Sequence, residues 1–128
     1  MGVDWNRELV WRMGDHHRNG SMNTGTKFDE DKLRFDLIPP EAEEALATVL
    51  TYGAAKYDSR NWELGMNWGR LYGALRRHLH AWKRGEKMDE ESKLPHLWHA
   101  LTCLTFLVTY EIRGSGKDDI TGIGDTFE

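Results

Sequence analysis

Cysteine is almost absent: Cys103 is the single one in 128 residues, set inside an apolar helical run. One thiol makes no intrachain disulfide, so the fold must rest on burial, as suits a reducing cytoplasm. No apolar run is long enough to span a bilayer and no signal-peptide pattern occurs, so a cytoplasmic chain without a membrane partner is expected. Positive charge is also short, with 17 Lys and Arg against 21 Asp and Glu and a net charge of -4. That balance speaks against nonspecific binding to duplex nucleic acid, and an anionic ligand would need a local basic pocket or a metal. A His-Asp dipeptide is missing, which removes the HD-type phosphohydrolases. The length suits one domain with a real core.

What is present centres on residues 70–112. Leu71, Ala74, Leu75, His78, Leu79 and Trp82 recur at the spacing of one apolar helical stripe. Further on, Leu94, Leu97, Trp98, Leu101, Leu104, Thr105 and Val108 share a face, and His96, His99, Cys103, Phe106 and Tyr110 fill the adjoining one. That second helix reads as buried nearly all round. The link Gly85-Glu86-Lys87-Met88-Asp89-Glu90-Glu91-Ser92-Lys93 is short enough to fold the two into an antiparallel hairpin. A third helix opens at Pro40, with Glu41, Glu43 and Glu44 against its N-terminal dipole and Ala42, Ala45, Leu46, Val49, Leu50 and Tyr57 as its core face. The fold expected is all-α, a helical bundle of three main helices at about 40–57, 70–84 and 94–112. A helix buried all round leaves apolar surface on a monomer, so the bundle is expected to be completed by homo-oligomerisation into a dimer or tetramer.

Histidines recur on both sides of the acidic link. His96 and His99 are three apart on the first turn of their helix and face the link, while His78 lies about two turns before its own helix ends. With Glu86, Asp89 or Glu91 they would form a mixed nitrogen and oxygen set suited to a divalent metal. Core histidines and a solvated acidic cap are the plainer explanation of the same residues, and three imidazoles converging on carboxylates tip the balance to a site.

Outside this region, residues 1–26 show weak periodicity and read as a flexible arm; Met22 follows Gly20 and Ser21, so the first 21 residues read as a leader or an upstream start. The segment KFDEDKLRFDLIPP brings Lys27, Lys32 and Arg34 into a loop able to grip phosphate oxygens, although by sequence alone a salted surface entry to a helix is the slightly favoured explanation. Trp62 lies in a turn-rich connection where an aromatic ring could stack on a nucleobase or cover the bundle. Residues 113–128 carry glycines and charges without period, and read as a flexible tail after a helical domain at 27–112.

Three runs in order, KFDEDKLRFDLIPPEA, LTYGAAKYDSRNWELGM and RRHLHAWKRGEKMDEESKLPHLWHAL, resemble the phage dATP/dGTP diphosphohydrolases, relatives of the all-α MazG-like nucleotide pyrophosphohydrolases. The resemblance implies cleavage of a purine deoxynucleoside triphosphate to the monophosphate and pyrophosphate in the host cytoplasm, with Mg²⁺ or Mn²⁺ as cofactor. On that reading His78, Asp89, Glu91, His96 and His99 hold metal, and Glu86, Asp89 or Glu91 orients or deprotonates the water. Lys27, Lys32, Arg34 and Lys56 clamp phosphates, with Trp62 beside the base. The sequence departs from MazG-like enzymes in offering Leu75 and His78, then His96 and His99, where those carry paired carboxylates, and imidazole shifts the expected ion towards Mn²⁺. Glycine would also be expected where Asp31 and Lys93 stand. The alternative is a non-enzymatic metal-binding helical module that docks onto host or phage proteins through its tryptophans.

Overall fold

The computed structural model describes residues 30–122; the N-terminal arm, Lys27 and the chain from residue 123 onward lie outside that range. The chain divides into two units, Met1–Pro39 and Pro40–Glu128. In the first, the described part holds one 3-10 turn, Phe35–Leu37. Arg34 closes on Asp36 through paired bonds, Nε to Oδ1 at 2.8 Å and Nη2 to Oδ2 at 2.7 Å, the fork geometry that suits guanidinium to carboxylate.

The second unit is all-α: α1 spans Pro40–Lys56, α2 Trp68–Lys83 and α3 His96–Arg113, with a 3-10 turn at Asn61–Leu64 between the first two. Among the described residues there is no strand, only isolated bridges at Asn67 with Lys117 and Met88 with Pro95. Helix α1 begins with proline and acidic Glu41 and Glu43 and ends on Lys56, each charge opposing the dipole at its end. Tyr57 falls beyond the helix and is exposed instead of joining the core. Helices α2 and α3 each close through a left-handed glycine. Glu86 N–H bonds the Ala81 carbonyl at 3.0 Å across Gly85, and Ser115 N–H bonds the Tyr110 carbonyl at 3.0 Å across Gly114. These are six-to-one bonds that satisfy carbonyls the helix leaves open.

Helix α3 packs against both α1 and α2. The core between α2 and α3 is Leu75, Ala100 and Cys103, flanked by Ala74 and Leu79. On α2 the buried face turns slightly from the expected stripe, with Ala81 inside and Trp82 exposed. Nor is α3 enclosed all round: Leu97, Leu104, Val108 and Ile112 are exposed. Two helices, α1 and α2, cover only part of the surface of α3, and the face with these four side chains stays open.

The end of the hairpin away from the acidic link is closed by residues that lack any period in the sequence. Trp68 N–H bonds Lys117 O at 2.9 Å, Trp68 Nε1–H bonds Ser115 O at 3.0 Å, and Gly69 N–H bonds Asp119 Oδ1 at 2.7 Å. Asp119 thus caps α2 from a distance, since Asn67 at the N-cap makes no side-chain bond. Gly116, at φ +72, passes so close to Met66 that any side chain there would collide with the Met66 carbonyl.

Candidate functional site

The other end of the hairpin is where the histidines gather. Between α2 and α3 the link is pinned by backbone bonds: Asp89 N–H to Leu94 O at 2.8 Å, Lys93 N–H to Asp89 O at 2.9 Å, and His96 N–H to Lys87 O at 2.8 Å. Asp89 opens the turn by accepting the Ser92 N–H at 2.8 Å and the Ser92 hydroxyl at 2.9 Å on one carboxylate oxygen, an Asx turn that a short acidic side chain makes with its own backbone. Lys93 is held at φ +63, in the left-handed region that glycine enters without a Cβ penalty.

This turn sets Asp89 beside three imidazoles. His78 Nδ1 and His96 Nδ1 are 2.8 Å apart, and His96 Nε2 lies 2.8 Å from Glu86 Oε2. His99 Nε2 lies 2.7 Å from the Ser92 hydroxyl and 4.0 Å from Asp89 Oδ2, with its ring stacked on that of His78 at 4.7 Å between centroids. Tyr52 of α1 meets His99 edge-on at 6.5 Å. Burial lowers the His78 pKa, and the neighbouring His99 and His96 add to it. Burial likewise lowers His99, against the opposing pull of Asp89. For Asp89 burial works against the charge, but the two Ser92 bonds and the nearby His99 and His78 outweigh it and hold the carboxyl below its usual range. Neutral imidazoles beside an ionised carboxylate are the protonation states metal binding requires.

His78, Asp89 and His96 each offer one ligand atom, and the three atoms lie within 4.8 Å of one another. Two nitrogens about 2.1 Å from one ion stand about 3.0 Å apart in adjacent octahedral positions and about 3.4 Å apart in a tetrahedron. The 2.8 Å between the Nδ1 atoms is thus closer to an octahedral edge. Glu86 on His96 Nε2 completes the pattern of a carboxylate holding a ligating imidazole from behind.

Of the other residues singled out in the sequence, Glu91 pairs with Lys56 at the end of α1, which raises the Lys56 pKa to about 12 through that bond. The fold thereby brings Lys56 to the acidic link across 35 residues of sequence. Trp62 is not at this end: its ring stacks on Phe106 at 4.3 Å, about two turns or roughly 10 Å along α3 from His99. Lys32 and Arg34 belong to the first unit. The sequence reading passed over Ser92 and Tyr52. An acidic residue three before a serine is the turn signal that could have marked Ser92; nothing local marks Tyr52.

Residues 22–120 match the family described as "dATP/dGTP diphosphohydrolase, N-terminal". The chain belongs to this dATP/dGTP diphosphohydrolase family. A curated relative, the dATP/dGTP diphosphohydrolase of Salmonella phage PMBT28, is 38% identical over 84 residues, which cover 66% of this chain and 29% of the relative. The chain thus spans under a third of that relative's length. No solved structure matches it significantly. The matched family segment runs through α1, α2 and α3 and includes the whole histidine cluster. Among the described residues, no helix of this family member is long and apolar enough to cross a membrane.

Proposed function

We propose that this chain hydrolyses purine deoxynucleoside triphosphates to the monophosphate and pyrophosphate with a divalent metal, as part of remodelling the nucleotide pool of a phage-infected host cytoplasm. The observation that carries the reading is the His78, Asp89 and His96 donor group in a member of a family described by that activity. These residues hold the ion, and their mixed nitrogen and oxygen donors suit Mn²⁺ better than Mg²⁺. A bound divalent ion would screen the phosphate oxygens and acidify a water.

The chain's own groups do the rest. Glu86 fixes His96 from behind. Glu91 is the most solvent-accessible carboxylate in the cluster to take a proton from water, and its partner Lys56 turns to a phosphate oxygen when triphosphate arrives. An exposed ion pair of this kind is worth little, so the exchange costs little. The exposed line of Leu97, Leu104, Val108 and Ile112 supports contact with a second copy of the chain.

Incubation with each deoxynucleoside triphosphate and Mn²⁺ or Mg²⁺, followed by separation of products, tests the reading. Monophosphate plus pyrophosphate is the expected result, with dATP and dGTP favoured. Orthophosphate would point to a different cleavage. No turnover with any metal would leave the docking module instead.

A further inference from the structure

Both histidines of the first turn of α3 are pinned through the same ring atom by different partners. His96 Nε2 meets the Glu86 carboxylate at 2.8 Å, and His99 Nε2 meets the Ser92 hydroxyl at 2.7 Å. We infer that Ser92 is a positioning residue of the centre, whose hydroxyl fixes the His99 proton on Nε2 and thereby makes Nδ1 the one lone-pair nitrogen of that ring. The inference deepens the proposed function, since it assigns the state in which His99 faces metal or water.

The hydrogen-bond inventory carries it. A serine hydroxyl has one proton to give and two lone pairs to receive. Leu94 N–H takes one lone pair at 3.1 Å, and Asp89 Oδ2 lies 2.9 Å away. Asp89 is ionised and only accepts, so the Ser92 proton goes to it. Had Ser92 donated to His99 instead, two oxygens would face each other at 2.9 Å with no proton between them. His99 must therefore donate from Nε2 to the remaining lone pair. A neutral hydroxyl holds the ring without adding the basicity a carboxylate lends, so His96 and His99, three residues apart, are set for different tasks.

Metal-free protein labelled with ¹⁵N at histidine, held at pH 8, gives each ring's tautomer by long-range ¹H–¹⁵N correlation. His99 should be wholly Nε2–H with a slowly exchanging ring proton. In Ser92→Ala that proton should exchange fast and an Nδ1–H population should appear; Ser92→Thr, which keeps the hydroxyl, should restore the single tautomer. Mn²⁺ affinity should fall about tenfold to a hundredfold in Ser92→Ala and recover in Ser92→Thr. A wild-type His99 with its proton on Nδ1 would overturn the inference. So would a Ser92→Ala protein that keeps one slowly exchanging Nε2–H, whatever happens to its melting. If Ser92→Ala does not fold, the wild-type and Ser92→Thr spectra decide. Wild type that shows the expected tautomer but binds no Mn²⁺ would sink the metal reading and leave the role of Ser92 standing.

Discussion

The two ends of the α2 and α3 hairpin bury polar groups in opposite ways. At the far end each has a fixed partner: the Tyr110 hydroxyl bonds the Trp62 carbonyl, Glu63 takes Arg113 at 2.9 Å and Arg60 at 3.0 Å, and Trp62 lies flat on Phe106. At the near end, polar side chains bond chiefly one another, His78 to His96, His96 to Glu86, His99 to Ser92 and Ser92 to Asp89. Backbone and guanidinium partners have nothing to exchange, whereas a proton shared by two imidazoles can be replaced by a metal ion. One end is a lock and the other the proposed site, although both lie along the same two helices.

The widest separation between the ends is expected from Asp89→Asn. Asparagine still accepts both Ser92 bonds but carries no charge, so turnover should fall about a thousandfold while melting stays close to wild type. Equal loss of stability and activity would make the near end a lock too. At the far end Phe106→Ala removes the ring under Trp62 and should cost about 2 to 3 kcal/mol, less than a fully buried aromatic because Phe106 is half-buried. For a domain of this size that is roughly 10 to 20 °C in Tm, with activity per folded molecule retained. A drop in activity beyond the loss of folded protein would bring Trp62 back towards the substrate.

The ends should also part on titration of the metal-free protein. His78 and His99 have folded pKa values below their ordinary one of about 6.5, so between the two values the unfolded chain binds more protons. Stability should therefore begin to fall as pH drops below about 6.5. The far-end Glu63 is also lowered, chiefly by its Arg113 bond. Its contribution is complete above the ordinary carboxylate range and is lost only as pH falls through its folded value. Melting followed from pH 8 to pH 3 should show two separate declines, and His99→Gln should flatten the first alone. A single decline below pH 5 in wild type would contradict the assignment of neutral, buried rings. The smallest effect is expected from Lys93→Gly, which relieves a positive φ against greater chain entropy; stability should rise by under about 1 kcal/mol, with the Asp89 turn unchanged.

The periodicity of Leu71, Leu75, Leu101 and Cys103 and the proline at the head of α1 are local signals, and they placed three helices to within a few residues. The same local logic put His78, His96 and His99 at one end of a hairpin, because a short link leaves antiparallel packing as its simplest outcome. Pairing across long separations had no such signal. The sequence does not say that Asp119 caps α2, that Lys56 reaches Glu91, or that Trp62 turns its ring to Phe106 and away from the histidines. Nor does it tell which side of α3 stays uncovered, since an apolar face reads the same whether a neighbour covers it or not. Composition and helical period depend on residues within a turn or two, and these the chain itself determined. Which nitrogen of each histidine is occupied, and by what, depends on atoms brought together from α2, the link and α3, and that only the tertiary structure decided.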